Sequence, residues 1–252
     1  MPNRPIALQL YTIRDHAEKD PAGTLDKVKS MGYEYVEVAS LYNLSAKDYK
    51  ALLDEKKLTP VSIHAPFDAV TGDTDAAIAD AKTLGITFVV VPWVGGKAYK
   101  DTAATVETAR AMDAAGAKMH AEGLQLCYHN HAHEFAKHDG KTVFDIIFET
   151  ASPDNLASEL DVAWVAIAGE DPAALTRRLG KRVPILHIKD YAEARPPKFA
   201  EVGTGKMVWD PLMAAAREVG VQWYIVEQDG NFAVDSLVSA LKGLEFLRSR
   251  LQ

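Results

Sequence analysis

Four short stretches in the second half of the chain gather the side chains that hold metal ions or carry protons: CYHNHAHEF at 127–135, ELDV at 159–162, LHIKD at 186–190 and VEQD at 226–229. They offer imidazoles from His129, His131, His133 and His187, carboxylates from Glu134, Glu159, Asp161, Asp190, Glu227 and Asp229, and the amine of Lys189. One member from each stretch makes a metal-type set: Glu134 or His129, then Asp161, His187 and Glu227. Such a set, with mostly oxygen donors, suits Mn2+ or Mg2+ and also serves Co2+, Fe2+ or Zn2+, whereas a structural zinc site draws on thiolates. The single cysteine, Cys127, can build neither a thiolate site nor an intramolecular disulfide, and it points to a reducing compartment. Each residue has an ordinary use as well. Asp161 could cap the helix that follows it, and Lys189 with Asp190 could form an ion pair at a rim. Glu37 and His64, earlier in the chain, suit substrate contacts or a layer behind the metal ligands. Trp93, close to a Gly-Gly pair, suits stacking on a sugar face or a place in the core.

Side chains this far apart need a frame that brings them together, and the patterning supplies one. Short β-branched or apolar runs recur at 6–11, 35–39, 60–66, 88–93, 124–131, 156–162, 183–190 and 222–228. Between them lie stretches of helical period. In 20–32, Leu25, Val28 and Met31 share a face and Gly32 stops the helix; in 45–57, Ser45 is the N-cap. The others are 75–84, 102–122, one beginning at Thr142, 171–180, 209–220 and 234–251. Eight strand–helix units of roughly 30 residues predict an α/β fold, a closed (β/α)8 barrel. No composition break marks a linker, so one domain is expected over 1–252. The competing architecture is an open doubly wound sheet, but no GxGxxG follows the first strand, and VGTG at 202–205 comes late and is too short a match. In a closed barrel the catalytic groups sit at the C-terminal ends of the strands, where the polar residues of this chain fall.

Composition narrows the partners. The chain is 48% hydrophobic and 25% charged, as an ordinary globular domain is, and its 252 residues are enough for a sizeable core. A net charge of −7 argues against nucleic acid, whose phosphates call for a basic face. No stretch is long enough for a signal h-region or a membrane span, so a cytoplasmic protein with no membrane partner is expected.

Five ordered stretches, CYHNHAHEF (127–135), ELDVAWV (159–165), LHIKD (186–190), VGTGKMVW (202–209) and WYIVEQD (223–229), resemble the sugar phosphate isomerase/epimerase family. These are xylose isomerase-like TIM barrels that also include inosose dehydratases, ketose 3-epimerases and endonuclease IV. The resemblance spans essentially the whole chain and is to the YHNHxxEF branch. It implies one divalent ion held by Glu, Asp, His and Glu from the last four strands, which carries over onto Glu134, Asp161, His187 and Glu227. Many relatives have a Glu where this chain has His129, so the fifth-strand ligand is either Glu134 or His129. The resemblance implies a metal-dependent sugar or keto-polyol isomerase or epimerase; Trp164 stands where epimerase relatives often place a substrate-binding His, so a lyase or dehydratase on a keto-sugar or inosose gains as the alternative. A homo-oligomer is in keeping with the resemblance, since barrels of this family are often dimers or tetramers.

The chemistry these relatives share is removal of a proton next to a carbonyl, followed by its return elsewhere or by loss of a β-substituent. A metal on the carbonyl oxygen stabilises the enediolate, so a modest base suffices. In that scheme Glu134 and Glu227 flank a sugar or polyol, His129 or His131 is the general acid or base, and Lys189 neutralises an oxyanion. His64, Trp93, Glu37 and Trp164 contact the substrate. A nuclease of the endonuclease IV type would need three ions and basic loops, and the acidic charge speaks against it. The complete ligand set speaks against a non-catalytic sugar-binding barrel, and an oxidoreductase would need a dinucleotide motif.

Overall fold

The computed structural model describes residues 5–251, and in it eight parallel strands close into a barrel. The one-domain expectation over 1–252 also takes in residues 1–4 and 252, which lie outside the described residues. The barrel strands are β1 Ile6–Gln9, β2 Tyr35–Val38, β3 Thr59–His64, β4 Phe88–Val91, β5 Gln125–His129, β6 Leu156–Asp161, β7 Ile185–Ile188 and β8 Trp223–Val226. Each pairs with its successor, and β8 returns to β1 through Ile6↔Tyr224, Ala7↔Ile225 and Leu8↔Val226. Closure leaves the barrel sheet without an unpaired edge.

Eight principal helices cover the outside: α1 Pro21–Ser30, α2 Ala46–Glu55, α3 Thr74–Leu84, α4 Thr102–Ala121, α5 Val143–Thr150, α6 Pro172–Leu179, α7 Trp209–Val219 and α8 Ser236–Arg250. Seven begin at a side chain that accepts a first-turn N–H: Asp20, Ser45, Asp73, Asp101, Thr142, Asp171 and Asp235. The last helix starts two residues later than its pattern predicts, because Asp235 is the cap and leaves Val234 outside, 77% exposed. The helical periods also leave out two short helices, Arg14–Ala17 and Phe67–Gly72, and an antiparallel pair, Asp190–Ala194 with Pro197–Ala200, and of the short helix Val162–Ala168 they mark only the Asp161 cap.

That pair belongs to the β7–α7 connection, which is anchored by Asp190. Its buried carboxylate accepts the N–H of Tyr191 at 2.8 Å and those of Gly203, Gly205 and Met207 at 3.0 Å each. The approach is so close that a Cβ on Gly205 would stand 2.2 Å from Asp190 Oδ1. The Lys189–Asp190 ion pair that the sequence allows is therefore not formed: Asp190 is taken by the loop.

The apolar core has two parts. One fills the space between helices and strands, with Leu8, Val36, Leu126 and Leu160 among its members. The other is the barrel floor, where Ala7, Val61, Phe88, Val90, Cys127, Ala157, Ile185 and Ile225 meet. Strand alternation then dictates what lies above the floor, since every second side chain points inward. Ala7 leads to Gln9, Cys127 to His129, Ala157 to Glu159 and Asp161, Ile185 to His187 and Lys189, and Ile225 to Glu227 and Asp229. The interior thus turns from apolar to ionisable as the strands rise. At the rim, the exposed large apolar side chains among the described residues, Tyr11, Leu44, Trp93, Val208 and Val234, all lie in connections that follow a strand's C-terminal end. At 52% exposed, Trp93 is not a core residue. Among the described residues no helix is long and apolar enough to cross a membrane.

Candidate metal centre

Two polar layers are stacked inside the barrel. In the lower one, Glu37 accepts from Gln9 Nε2 at 2.7 Å and from the hydroxyl of Ser62, and it meets His187 Nε2 at 2.7 Å. Glu159 Oε1 lies 2.8 Å from His64 Nε2, 3.1 Å from His129 Nδ1 and 2.9 Å from His187 Nε2. The upper layer begins at the other edges of the same rings. His187 Nδ1 meets Glu227 Oε2 at 2.8 Å, and His129 Nε2 faces Asp161 Oδ2 at 3.9 Å. Lys189 Nζ completes the layer, 2.9 Å from Asp161 Oδ2, 2.8 Å from Glu227 Oε2 and 2.9 Å from Asp229 Oδ1. Asp161 is fixed from two sides: Asn130 Oδ1 accepts its backbone N–H, and its own Oδ1 caps the helix Val162–Ala168 by accepting from Trp164 N at 2.9 Å. The cap and the metal-ligand roles are compatible, because each uses a different oxygen.

Burial and mutual attraction set the protonation states. Burial alone would raise Glu37 and Glu227, but His64 and His187 beside Glu37, and Lys189 and His187 beside Glu227, hold both carboxyls well below the usual range. Burial likewise opposes the charge on His64, which the flanking Glu37 and Glu159 carry up to about 10; the same carboxylates and Glu227 raise His187. His129 goes the other way: burial and the neighbouring charged His187 push it well down, so its ring is neutral. Burial raises Asp161 to about 6 against the pull of Lys189.

These residues fit a divalent ion. Ligand atoms of His129, Asp161, His187 and Glu227 all lie within 4.8 Å of one another, and Asp161 Oδ2, whose one close partner is the Lys189 ammonium, faces His129 Nε2. His129 is neutral and Glu227 ionised, as ligands must be, while His187, held charged by its carboxylates, would release its Nδ1 proton on taking an ion. Beneath them Glu37 and Glu159 meet His187 Nε2, the carboxylate–histidine arrangement that orients a ring ligating through its other nitrogen. A lower grouping of His64, His129, Glu159 and His187 is equally compact but shares both histidines with the upper one. A neutral imidazole has one lone pair to give, so the two groupings are alternatives for one ion.

The structure brings together Asp161, His187 and Glu227, and it joins His129 to them rather than Glu134. The short turn His133–Phe135 folds Glu134 back under its own loop, where Oε1 accepts from the Tyr128 hydroxyl at 2.5 Å and Oε2 from His131 N at 2.8 Å. Its near neighbours with ligand atoms are His131 and His133. Glu37 has no exposed surface and lies beneath the upper layer, bonded to Gln9, Ser62 and His187, the place behind the ligands that the sequence allowed for it. His64 is bound to the same lower layer through Glu159. Trp93 and Trp164 do flank the mouth, Trp93 5.2 Å and Trp164 5.5 Å from the ring of His131. The expected set omits Glu159, Asp229 and Phe199, whose ring lies 5.4 Å from Lys189 Nζ. Glu159 was legible by alternation, two residues before Asp161 on the same face; Phe199 sits on the hairpin and left no signal.

A family model for the xylose isomerase-like TIM barrel matches residues 25–250. The inosose dehydratase of Lacticaseibacillus casei is 22% identical over 261 residues, which take in 88% of this chain and 87% of that protein. Among solved structures, a sugar phosphate isomerase/epimerase from Parabacteroides distasonis superposes with a TM-score of 0.86 at 20% identity, over 99% of this chain and 95% of that one. The IOLI protein with a bound zinc atom superposes with a TM-score of 0.72 at 15% identity, over 98% of each chain. At these identities the structural likenesses speak for the fold, and the family match covers nearly all of the sequence. The closed barrel, with its buried imidazole and carboxylate cluster of metal-site type, therefore belongs to the xylose isomerase-like TIM barrel family.

Proposed function

We propose that this chain is a divalent-metal-dependent enzyme that takes a proton from the carbon next to the carbonyl of a keto-sugar or keto-polyol, as an isomerase or epimerase does. The observation that carries this is the convergence of His129, Asp161, His187 and Glu227 above a second layer of carboxylates that orients the histidines. Two imidazoles and two carboxylates suit Mn2+, Co2+, Fe2+ or Zn2+ better than Mg2+, which prefers oxygen alone. The zinc atom in the IOLI structure agrees with such a donor set. When bound, the ion supplies a Lewis acid that stabilises charge developing on the carbonyl oxygen.

The chain's own residues do the rest. His131 is half-buried at the mouth, held neutral chiefly by burial, and its Nδ1 has no hydrogen-bond partner, so it can accept the proton. Lys189 places a positive charge beside the oxygen on which negative charge grows. Trp93 and Trp164 offer ring faces to the apolar side of a sugar. A specific feature favours elimination as a second reading: Trp164, packed against His131 with ring centroids 5.5 Å apart, brings no acid or base to return a proton. The inosose dehydratase likeness points the same way.

Incubation with a panel of keto-sugars and inososes in deuterated water tests both. Deuterium should enter the carbon next to the carbonyl, and chelation or Asp161→Ala should abolish it. No exchange on any of these substrates, or exchange that persists in the chelated Asp161→Ala protein, would overturn the proposal.

A further inference from the structure

Lys189 carries a full charge in a place with almost no water: its side chain is 1% exposed. Its ammonium touches Asp161 Oδ2 at 2.9 Å and Glu227 Oε2 at 2.8 Å, the same two oxygens that face the ring nitrogens of His129 and His187. Both carboxylates belong to the metal-type grouping. Asp229 does not, yet it holds the ammonium with both oxygens at 2.9 Å. Lys189 therefore has two kinds of partner, a pair it would share with an ion and a third that is its own.

We propose that Lys189 is an internal rival of the divalent ion, a step that rests on the metal reading above. The ammonium and the ion draw on the same two carboxylate oxygens, and their like charges repel across a site of low dielectric. Asp229 is the hold to which Lys189 withdraws when the ion takes Asp161 and Glu227. The flexible four-carbon stem allows such a shift, and the rings of Trp164 and Phe199, 5.7 and 5.4 Å from Nζ, flank the ammonium. Metal affinity is then lower than the donor set alone would give, and ion binding delivers a positive charge to the substrate's side of the site. The contrary role would be assembly: if Lys189 only gathers the three carboxylates into place, its removal must weaken metal binding.

Calorimetric titration of the chelator-stripped protein with MnCl2 separates these. Lys189→Met should bind Mn2+ at least about tenfold more tightly than the unaltered protein, because the competing charge is gone. Asp229→Asn should bind it about threefold or more weakly, because the ammonium then leans harder on Asp161 and Glu227. A Lys189→Met protein that binds no more tightly, or an Asp229→Asn protein that binds no more weakly, overturns the proposal. Asp229 is 23% exposed, so its variant keeps the test available should Lys189→Met not fold. Failure of the unaltered protein to bind Mn2+ would remove the metal reading itself, a result distinct from intact binding with unmoved variants.

Discussion

Asp190→Asn isolates a single piece of local physics. Asp190 Oδ1 accepts from Tyr191 N and Met207 N, and Oδ2 from Gly203 N and Gly205 N. An asparagine of the same shape has one acceptor oxygen. Whichever way the amide turns, its NH2 meets two backbone N–H groups head on. Hydrogen bonds to a charged acceptor contribute about 1.5–3 kcal/mol each, so losing two costs roughly 3–6 kcal/mol. For a chain of this length each kcal/mol moves the melting temperature by roughly 2–4 °C, which gives a fall on the order of 10 °C. The fall is capped by the cost of opening the 190–207 connection by itself, because a loop that melts locally spares the barrel. Calorimetry should therefore be paired with hydrogen exchange. The amides of Gly203, Gly205 and Met207 should lose protection while those of β5 and β6 keep theirs. An Asn variant that melts within about 3 °C of the parent and keeps those amides protected would refute the four-bond account.

Three further outcomes follow from the site and its packing. Glu37→Gln leaves His187, Gln9 and Ser62 competing for one acceptor, and it should weaken Mn2+ binding by about 10- to 100-fold in calorimetry; unchanged affinity would mean that His187 needs no partner on Nε2. Burial raises the Asp161 carboxyl from 3.8 to about 6, so between these values the folded chain holds a proton that the unfolded chain has released. Stability of the metal-free protein should fall as pH rises through that window, while Mn2+ affinity should rise with pH, more steeply below about 6 than above it, because His187 is also held charged and would release a proton to bind; a slope that does not change near 6 would show that Asp161 is not a ligand. Gly116→Ala would set a Cβ 2.0 Å from the Asn155 carbonyl oxygen, forcing α4 away from the loop before β6. That should cost about 1–3 kcal/mol, visible as a lower urea midpoint, and an unmoved midpoint would show that α4 yields freely.

Barrel strands and outer helices were legible because each obeys one local rule: β5 to β8 are short apolar runs, and Ser45 and Gly32 punctuate their helices as caps do. The ligand-type residues were legible for the same reason, since polar side chains at strand ends break an apolar pattern. What could not be read was the path of the chain after the strand. Glu134 and His129 are five residues apart, and which of them faces Asp161 depends on a turn at His133–Phe135 that no periodicity announces. Asp190 looked like a partner for Lys189 because the two are adjacent, but alternation points them opposite ways, one into the barrel and one into its own loop. Glu37 and His64 were open between touching substrate and standing behind the ligands. Depth along the barrel axis, which separates a lower from an upper layer, is a property of register between strands and not of any one strand.

His187 is gripped at both ring nitrogens, by Glu37 and Glu159 on one edge and Glu227 on the other. That grip decides which residues can stand in its place. Glutamine or asparagine can imitate one nitrogen but not both, since the amide puts its donor and acceptor side by side instead of across a ring. Lysine and arginine bring charge without a lone pair, phenylalanine brings shape without a donor, and tyrosine or tryptophan brings a single polar atom where His187 uses two. No single replacement spans both layers, so position 187 is a pinned point in sequence space, while an exposed rim side chain such as Val234 is under no such constraint.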